Sequence, residues 1–174
     1  MPSKDLSYPI GRFETPEAYD ADLIQTSINT ISELPDEVQD RIYQLGPGQL
    51  EQPYRPGGWN VRQVIHHFAD SHMNAFVRSK LASTEDWPDI KPYAESLWAE
   101  QADHQLPVEI SLGILRGVHL RWTTLNQSLS VEDMHNRGYI HPEFGRKVPF
   151  WEIIPRYAWH CRHHLAHIDL VLGN

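Results

Sequence analysis

Residues 150–172 read FWEIIPRYAWHCRHHLAHIDLVL. Ile154, Ala158, Cys161, Leu165, Ile168 and Leu172 recur in alternating steps of four and three, the spacing that keeps one helix face turned to a partner helix. A second row, Ile153, Tyr157, His160, His164, His167 and Val171, follows the same rhythm beside it. That second row is apolar at its ends and polar in its middle. The pattern predicts a helix from about Phe150 to Leu172 that points several histidines into a bundle. Pro155 lies early enough in it to be tolerated.

Three other long helical stretches share this register. The first runs from about Thr15, as N-cap before Pro16, to Leu45, with Ile24, Ile28, Ile31, Val38 and Ile42 on its inner face and a kink or break expected at Pro35. Asn60 with Gln63 forms a capping box for the second, which carries Val61, Ile65, Phe68, His72 and Phe76 inward and ends near Ser83. The third covers about Pro107 to Ser128, with Leu115, Val118, Trp122, Leu125 and Leu129 as its seam. The long connection from Thr84 to about Gln105, with a short helix near Tyr93 to Gln101, is a candidate crossover letting helices two and three run parallel. Tyr139-Ile140 and Lys147-Val148, flanking Pro142 to Gly145, predict a small hairpin before the last helix. The fold class is all-α, a four-helix bundle, expected as a single domain over residues 1–174.

Composition narrows the function. The net charge is −8 with no basic tract, which argues against nucleic acid and anionic membrane as partners. No apolar run is long enough to span a bilayer, and Met1 to Gly11 has no signal-like apolar core. The lone cysteine, Cys161, cannot form an internal disulfide, which fits a cytoplasmic setting; in the apolar row it reads as a buried thiol rather than a nucleophile.

Histidine is the unusual residue. There are 11, and His66, His67, His72, His160, His163, His164 and His167 fall in two short segments. His160 and His164 stand at i and i+4, one turn apart on one face, so they can share an ion; a third ligand then has to come from another helix, and His67 is the best placed. On spacing alone, structural histidines satisfied by carboxylates or carbonyls explain the pattern equally well. Three neutral ligands with an open position suit catalytic zinc, and also nickel, iron or cobalt. The glutamate of a metalloprotease H-E-x-x-H motif is absent, since Cys161 and Arg162 follow His160. Asp70 and Glu152 are candidate acid–base groups; Asp70 and Asn74 can also orient a ligand ring. Arg62 and Arg156, with Trp59, are candidates for holding an anionic substrate or cofactor. His66 is expected at the bundle surface or a subunit contact.

The run Pro53-Tyr-Arg-Pro-Gly-Gly-Trp-Asn-Val-Arg-Gln-Val64, continued by His66 to Asn74, resembles the YfiT branch of the DinB superfamily, as do Leu6 to Gly11 and Trp159 to His167. The resemblance covers about residues 6–170. It implies a four-helix bundle with a divalent metal, Zn2+ or Ni2+, held by three histidines, which match His67, His160 and His164 here. It also implies a cytoplasmic homodimer acting on a small molecule. Members of the branch are described as metal-dependent hydrolases, and relatives in the wider superfamily transfer low-molecular-weight thiols such as bacillithiol. The leading reading is therefore a metal-dependent thiol S-transferase acting on small electrophiles. The alternatives are a hydrolase using metal-activated water and a non-enzymatic metal-binding dimer.

Overall fold

The computed structural model describes residues 5–173; Met1 to Lys4 and Asn174, within the expected domain span, lie outside the described residues. Its long helices are α1 (Ala21–Gln44), α2 (Val61–Thr84), α4 (Val108–Ser128) and α6 (Phe150–Leu172), joined by the short α3 (Glu95–Trp98), α5 (Val131–Asn136) and a hairpin, β1 (Gly138–His141) with β2 (Arg146–Pro149). The capping box at Asn60 forms as expected, the Asn60 side chain accepting from the Gln63 N–H and the Gln63 side chain from the Asn60 N–H. The hairpin pairs Tyr139 with Val148 and Ile140 with Lys147. Gly138 is required there, because a Cβ would lie 2.0 Å from the Val148 carbonyl oxygen.

Three expectations change. Helix α1 begins at Ala21 and not at Thr15: the Asp20 side chain accepts the N–H groups of Asp22 and Leu23, and the apolar rhythm starts only at Ile24. Pro35 does not break α1, which continues past it to Gln44. The inner face of α4 runs through Leu112, Leu115, His119, Trp122 and Asn126, while Val118 and Leu125 are only half-buried. Helix α5, capped by a Ser130–Asp133 box, was not foreseen.

Around the bundle, α1 and α2 each pack against both α4 and α6, so the ring order is α1, α4, α2, α6. Cross-helix bonds give the directions. Arg41 meets Asp169 and Arg162 meets Thr30, so α1 and α6 run parallel. His66 meets Ser111 and Ser79 meets Trp122, so α2 and α4 run parallel. His67 packs on His164 and His72 on His160, so α2 and α6 are antiparallel. The parallel α2–α4 pair demands the crossover over residues 85–107, as expected from its length. That segment is pinned to α2 by side chains bonding its carbonyls: Gln63 to Ala99, Arg62 and His66 to Leu106, and Arg78 to Lys91.

The apolar core lies between the four long helices, with Ile31, Leu34, Ile65, Phe68, Leu115, Trp122, Ile153, Ile154 and Ile168 fully buried. Asn60→Ala removes the α2 cap and is expected to lower unfolding free energy by about 1 kcal/mol; urea unfolding of the metal-free protein measures it, and an unchanged midpoint would contradict the role given to Asn60.

Candidate metal centre

The antiparallel packing of α2 and α6 sets His67 opposite the i,i+4 pair His160 and His164. One ligand nitrogen from each lies within 4.8 Å of the other two. His67 Nε2 stands 3.4 Å from His160 Nε2. The rings are walled by Trp59, whose centroid is 4.7 Å from that of His67, and by Phe68, which presents its edge geometry to His160 and His164. Burial dominates their electrostatics. It pushes His67 down to about 3, helped by the nearby histidines, and holds His160 and His164 well below the ordinary imidazole value. All three therefore present uncharged rings at neutral pH.

A cavity of about 560 Å³ opens onto this cluster. Its walls come from the N-terminal segment (Ser7, Tyr8), the loop before α2 (Tyr54, Arg55, Gly57, Gly58, Trp59), the crossover (Glu95, Ser96) and α6 (Trp159, His160, His163, His164, His167). The Pro-Gly-Gly-Trp stretch builds one wall. Gly57 takes φ +69°, a left-handed conformation, and the Tyr54 N–H bonds the Trp59 carbonyl, folding the loop back on itself. Tyr54 then stacks on His167 at 3.9 Å between centroids. Among the described residues Glu95 is the sole carboxylate lining the cavity. It is exposed at the rim, yet partial burial of the carboxyl, then Glu143, raises its pKa above the ordinary carboxylate value. His160 keeps partial exposure because it also borders a smaller cavity of about 180 Å³ shared with Arg156.

The model for the DinB superfamily matches residues 30–168. The chain belongs to the DinB superfamily. It is 49% identical over 164 residues to a Bacillus cereus (strain 03BB102) protein named "Putative metal-dependent hydrolase", and 48% identical to one of the same description from Bacillus anthracis (strain CDC 684 / NRRL 3495), covering 94% of each chain in both cases. The solved structure of YfiT from Bacillus subtilis, described as "a probable metal-dependent hydrolase with an unusual four-helix bundle topology", superposes with a TM-score of 0.90 at 38% identity, covering 95% of both chains.

Within this DinB bundle the other expected site residues go elsewhere. Asp70 accepts from His104 Nε2 at 2.9 Å, because its position on α2 turns it toward the crossover and away from the His67 ring. Asn74 donates to the Asp70 carbonyl. Glu152 is buried in an ion pair with Arg146 of the hairpin, so it is not a free base. Arg62 is held by Glu51 and the Leu106 carbonyl, outside the cavity. Arg156 lies over the rings of Phe13 and Phe144 in the smaller cavity, bordering His160 but not the main chamber. His66 is not at the surface: it is buried, bonded to Ser111 Oγ at 2.7 Å and the Leu106 carbonyl at 3.0 Å. Cys161 is buried and its thiol is pushed far up by burial, which suits a structural role.

Sequence reasoning missed several residues that the fold recruits. Arg55, Tyr54 and Tyr8 reach the cavity from loops, and Glu95 from the first residue of α3, along paths that no periodicity predicts. His72 approaches His160 Nδ1 at 3.1 Å and His119 Nε2 at 2.8 Å. His119 was legible in principle, since it falls in step with Leu115 and Trp122 on α4.

The buried imidazoles make the metal-free protein acid-sensitive. His119, His163 and His167 are pushed down to about 4, chiefly by burial, and His67 to about 3. Between these values and the ordinary 6.5, the unfolded chain binds protons that the folded chain refuses. Stability is therefore complete above about pH 6.5 and declines as pH falls toward 4, each group contributing about 1.4 kcal/mol per pH unit in that window. Urea midpoints recorded from pH 7.5 to 5 should fall steeply below 6.5; a flat profile would show that these rings are hydrated in the folded state.

Proposed function

We propose that His67, His160 and His164 hold one divalent ion, zinc or nickel, and that the protein hydrolyses a small molecule bound in the 560 Å³ cavity. The observation that carries this reading is the convergence of three uncharged imidazole nitrogens, two of them on rings that line the cavity. The 3.4 Å between His67 Nε2 and His160 Nε2 equals the edge of a tetrahedron with bonds of about 2.1 Å, as zinc–histidine sites require. A divalent ion held by neutral ligands acts as a Lewis acid, polarising a bound carbonyl or phosphoryl oxygen and making water more acidic.

The chain's own residues supply the remainder. Trp59, Trp159, Tyr8 and Tyr54 contribute aromatic faces to the chamber, beside the polar edges of Arg55, Glu95, His163 and His167. Glu95, whose pKa is raised by its surroundings, is placed to take a proton and return it to the leaving group. Its presence supports hydrolysis over thiol transfer, since an acid–base group now lines the chamber. Arg55 lines the cavity and is suited to an anionic substituent, and its Nε has no partner among the described residues. The same arginine favours a second reading, in which a low-molecular-weight thiol such as bacillithiol binds by its carboxylates and is transferred to an electrophile.

Elemental analysis of untagged protein should find about one equivalent of metal, lost in His67→Ala, His160→Ala and His164→Ala. Wild type that stays metal-free after reconstitution with zinc and nickel would overturn the site. On a panel of esters and amides, Glu95→Gln should lower kcat by roughly 100-fold while metal content is unchanged. Turnover that depends on added thiol would replace hydrolysis by the second reading.

A further inference from the structure

Proline 35 lies inside α1, where the N–H of residue 35 would normally bond the carbonyl of Ile31. Proline has no N–H, so that acceptor is left over. Ile31 is fully buried and cannot turn to water. His119 of α4 fills the gap: its Nδ1 lies 2.5 Å from the Ile31 carbonyl oxygen. Beyond it the imidazoles continue in a row, His119 Nε2 to His72 Nδ1 at 2.8 Å and His72 Nε2 to His160 Nδ1 at 3.1 Å. His160 Nε2 then faces His67 in the ligand cluster.

We propose that His119 and His72 are positioning residues that fix the tautomer of His160, and that Pro35 makes this possible by releasing the Ile31 carbonyl as the anchor of the row. The direction follows from chemistry. A carbonyl only accepts, so His119 Nδ1 carries the hydrogen. A neutral imidazole has one N–H, so His119 Nε2 is a lone pair and must accept from His72 Nδ1. His72 Nε2 is then a lone pair and accepts from His160 Nδ1–H. One orientation of every ring satisfies the whole row, and it leaves the lone pair of His160 on Nε2, pointed at the cluster. Free imidazole side chains in water favour the opposite tautomer, with hydrogen on Nε2, which blocks ligation. The row is shielded from water: His72 and His119 are buried among Trp122, Phe68 and Tyr157. Burial also keeps the rings uncharged, His119 being pushed down to about 4 and His72 well below the ordinary value.

The consequence for metal affinity rests on the ligand set proposed above; the tautomers do not. Two-bond nitrogen–proton correlation spectra of the full-length, metal-free protein labelled at histidine, recorded near pH 7.5, read the tautomers directly. His119, His72 and His160 are expected in the Nδ1–H form. His160 found as Nε2–H would overturn the proposal, and this arm needs no variant to fold. Two substitutions add a second arm. Glutamine at 119 retains an N–H for Ile31 and a carbonyl for His72, whereas leucine retains neither. His119→Leu should shift His160 to Nε2–H and weaken zinc binding, measured by chelator competition, by about 10- to 100-fold, with His119→Gln restoring most of it. Equal zinc affinity and an unshifted His160 in the folded leucine variant would refute the relay. Nδ1–H tautomers in a wild-type protein that binds no zinc would leave the relay standing and defeat the ligand assignment instead.

Discussion

An imidazole removed from water keeps two nitrogens that must each find a partner, and this requirement organises the interior of the bundle. His66 uses Ser111 and the Leu106 carbonyl, and His104 uses Asp70. His72, His119 and His160 use one another and the carbonyl left free by Pro35. After these pairings nitrogens of His67, His160 and His164 converge within reach of one another, where under the ligand set proposed above each would offer a lone pair to one ion. The same accounting leaves His104 Nδ1, His163 Nδ1 and His167 Nε2 without protein partners among the described residues, the last two on rings that line the chamber.

The topology serves that interior. Parallel α2 and α4 place His72 beside His119 at matching heights, while antiparallel α2 and α6 bring His67 within reach of both His160 and His164. The price of parallel neighbours is a crossover, and here the crossover is put to use. Bonded along α2 through Gln63, His66, Asp70 and Arg78, and paired through Ile90 with Ile140 of the hairpin, it carries Glu95 to the mouth of the chamber. Residues that looked like chemistry in the sequence, Arg62, Asp70 and Glu152, are the fastenings of this arrangement.

An ion bound by three neutral rings retains its full charge, which strengthens its pull on a substrate oxygen compared with a site built from carboxylates. Burial keeps the three rings uncharged well below the ordinary imidazole range, so the helical core extends the pH window in which the proposed ligands stay neutral.

The sequence by itself determined whatever depends on near neighbours along the chain. The Asn60–Gln63 cap, the span of α6, the two arms of the hairpin and the shared face of His160 and His164 are set by residues one to four positions apart or across one tight turn, and each was legible in pattern. His67 was reachable as a candidate because a third ligand is best supplied by another inward-facing helix, and the fold brings it beside His160 and His164. Tertiary structure alone decided the partners of the polar residues: that Asp70 meets His104, Glu152 meets Arg146, His66 turns inward to Ser111, and Glu95 stands over the chamber. Pro35 shows the division within one residue. Its missing N–H is plain in the sequence as a gap in α1, but the group that fills it, His119, lies 88 positions further on and arrives only when α4 docks. Local periodicity says which face of a helix turns inward; which side chains then meet depends on the relative height and direction of packed helices, and no short-range pattern encodes that.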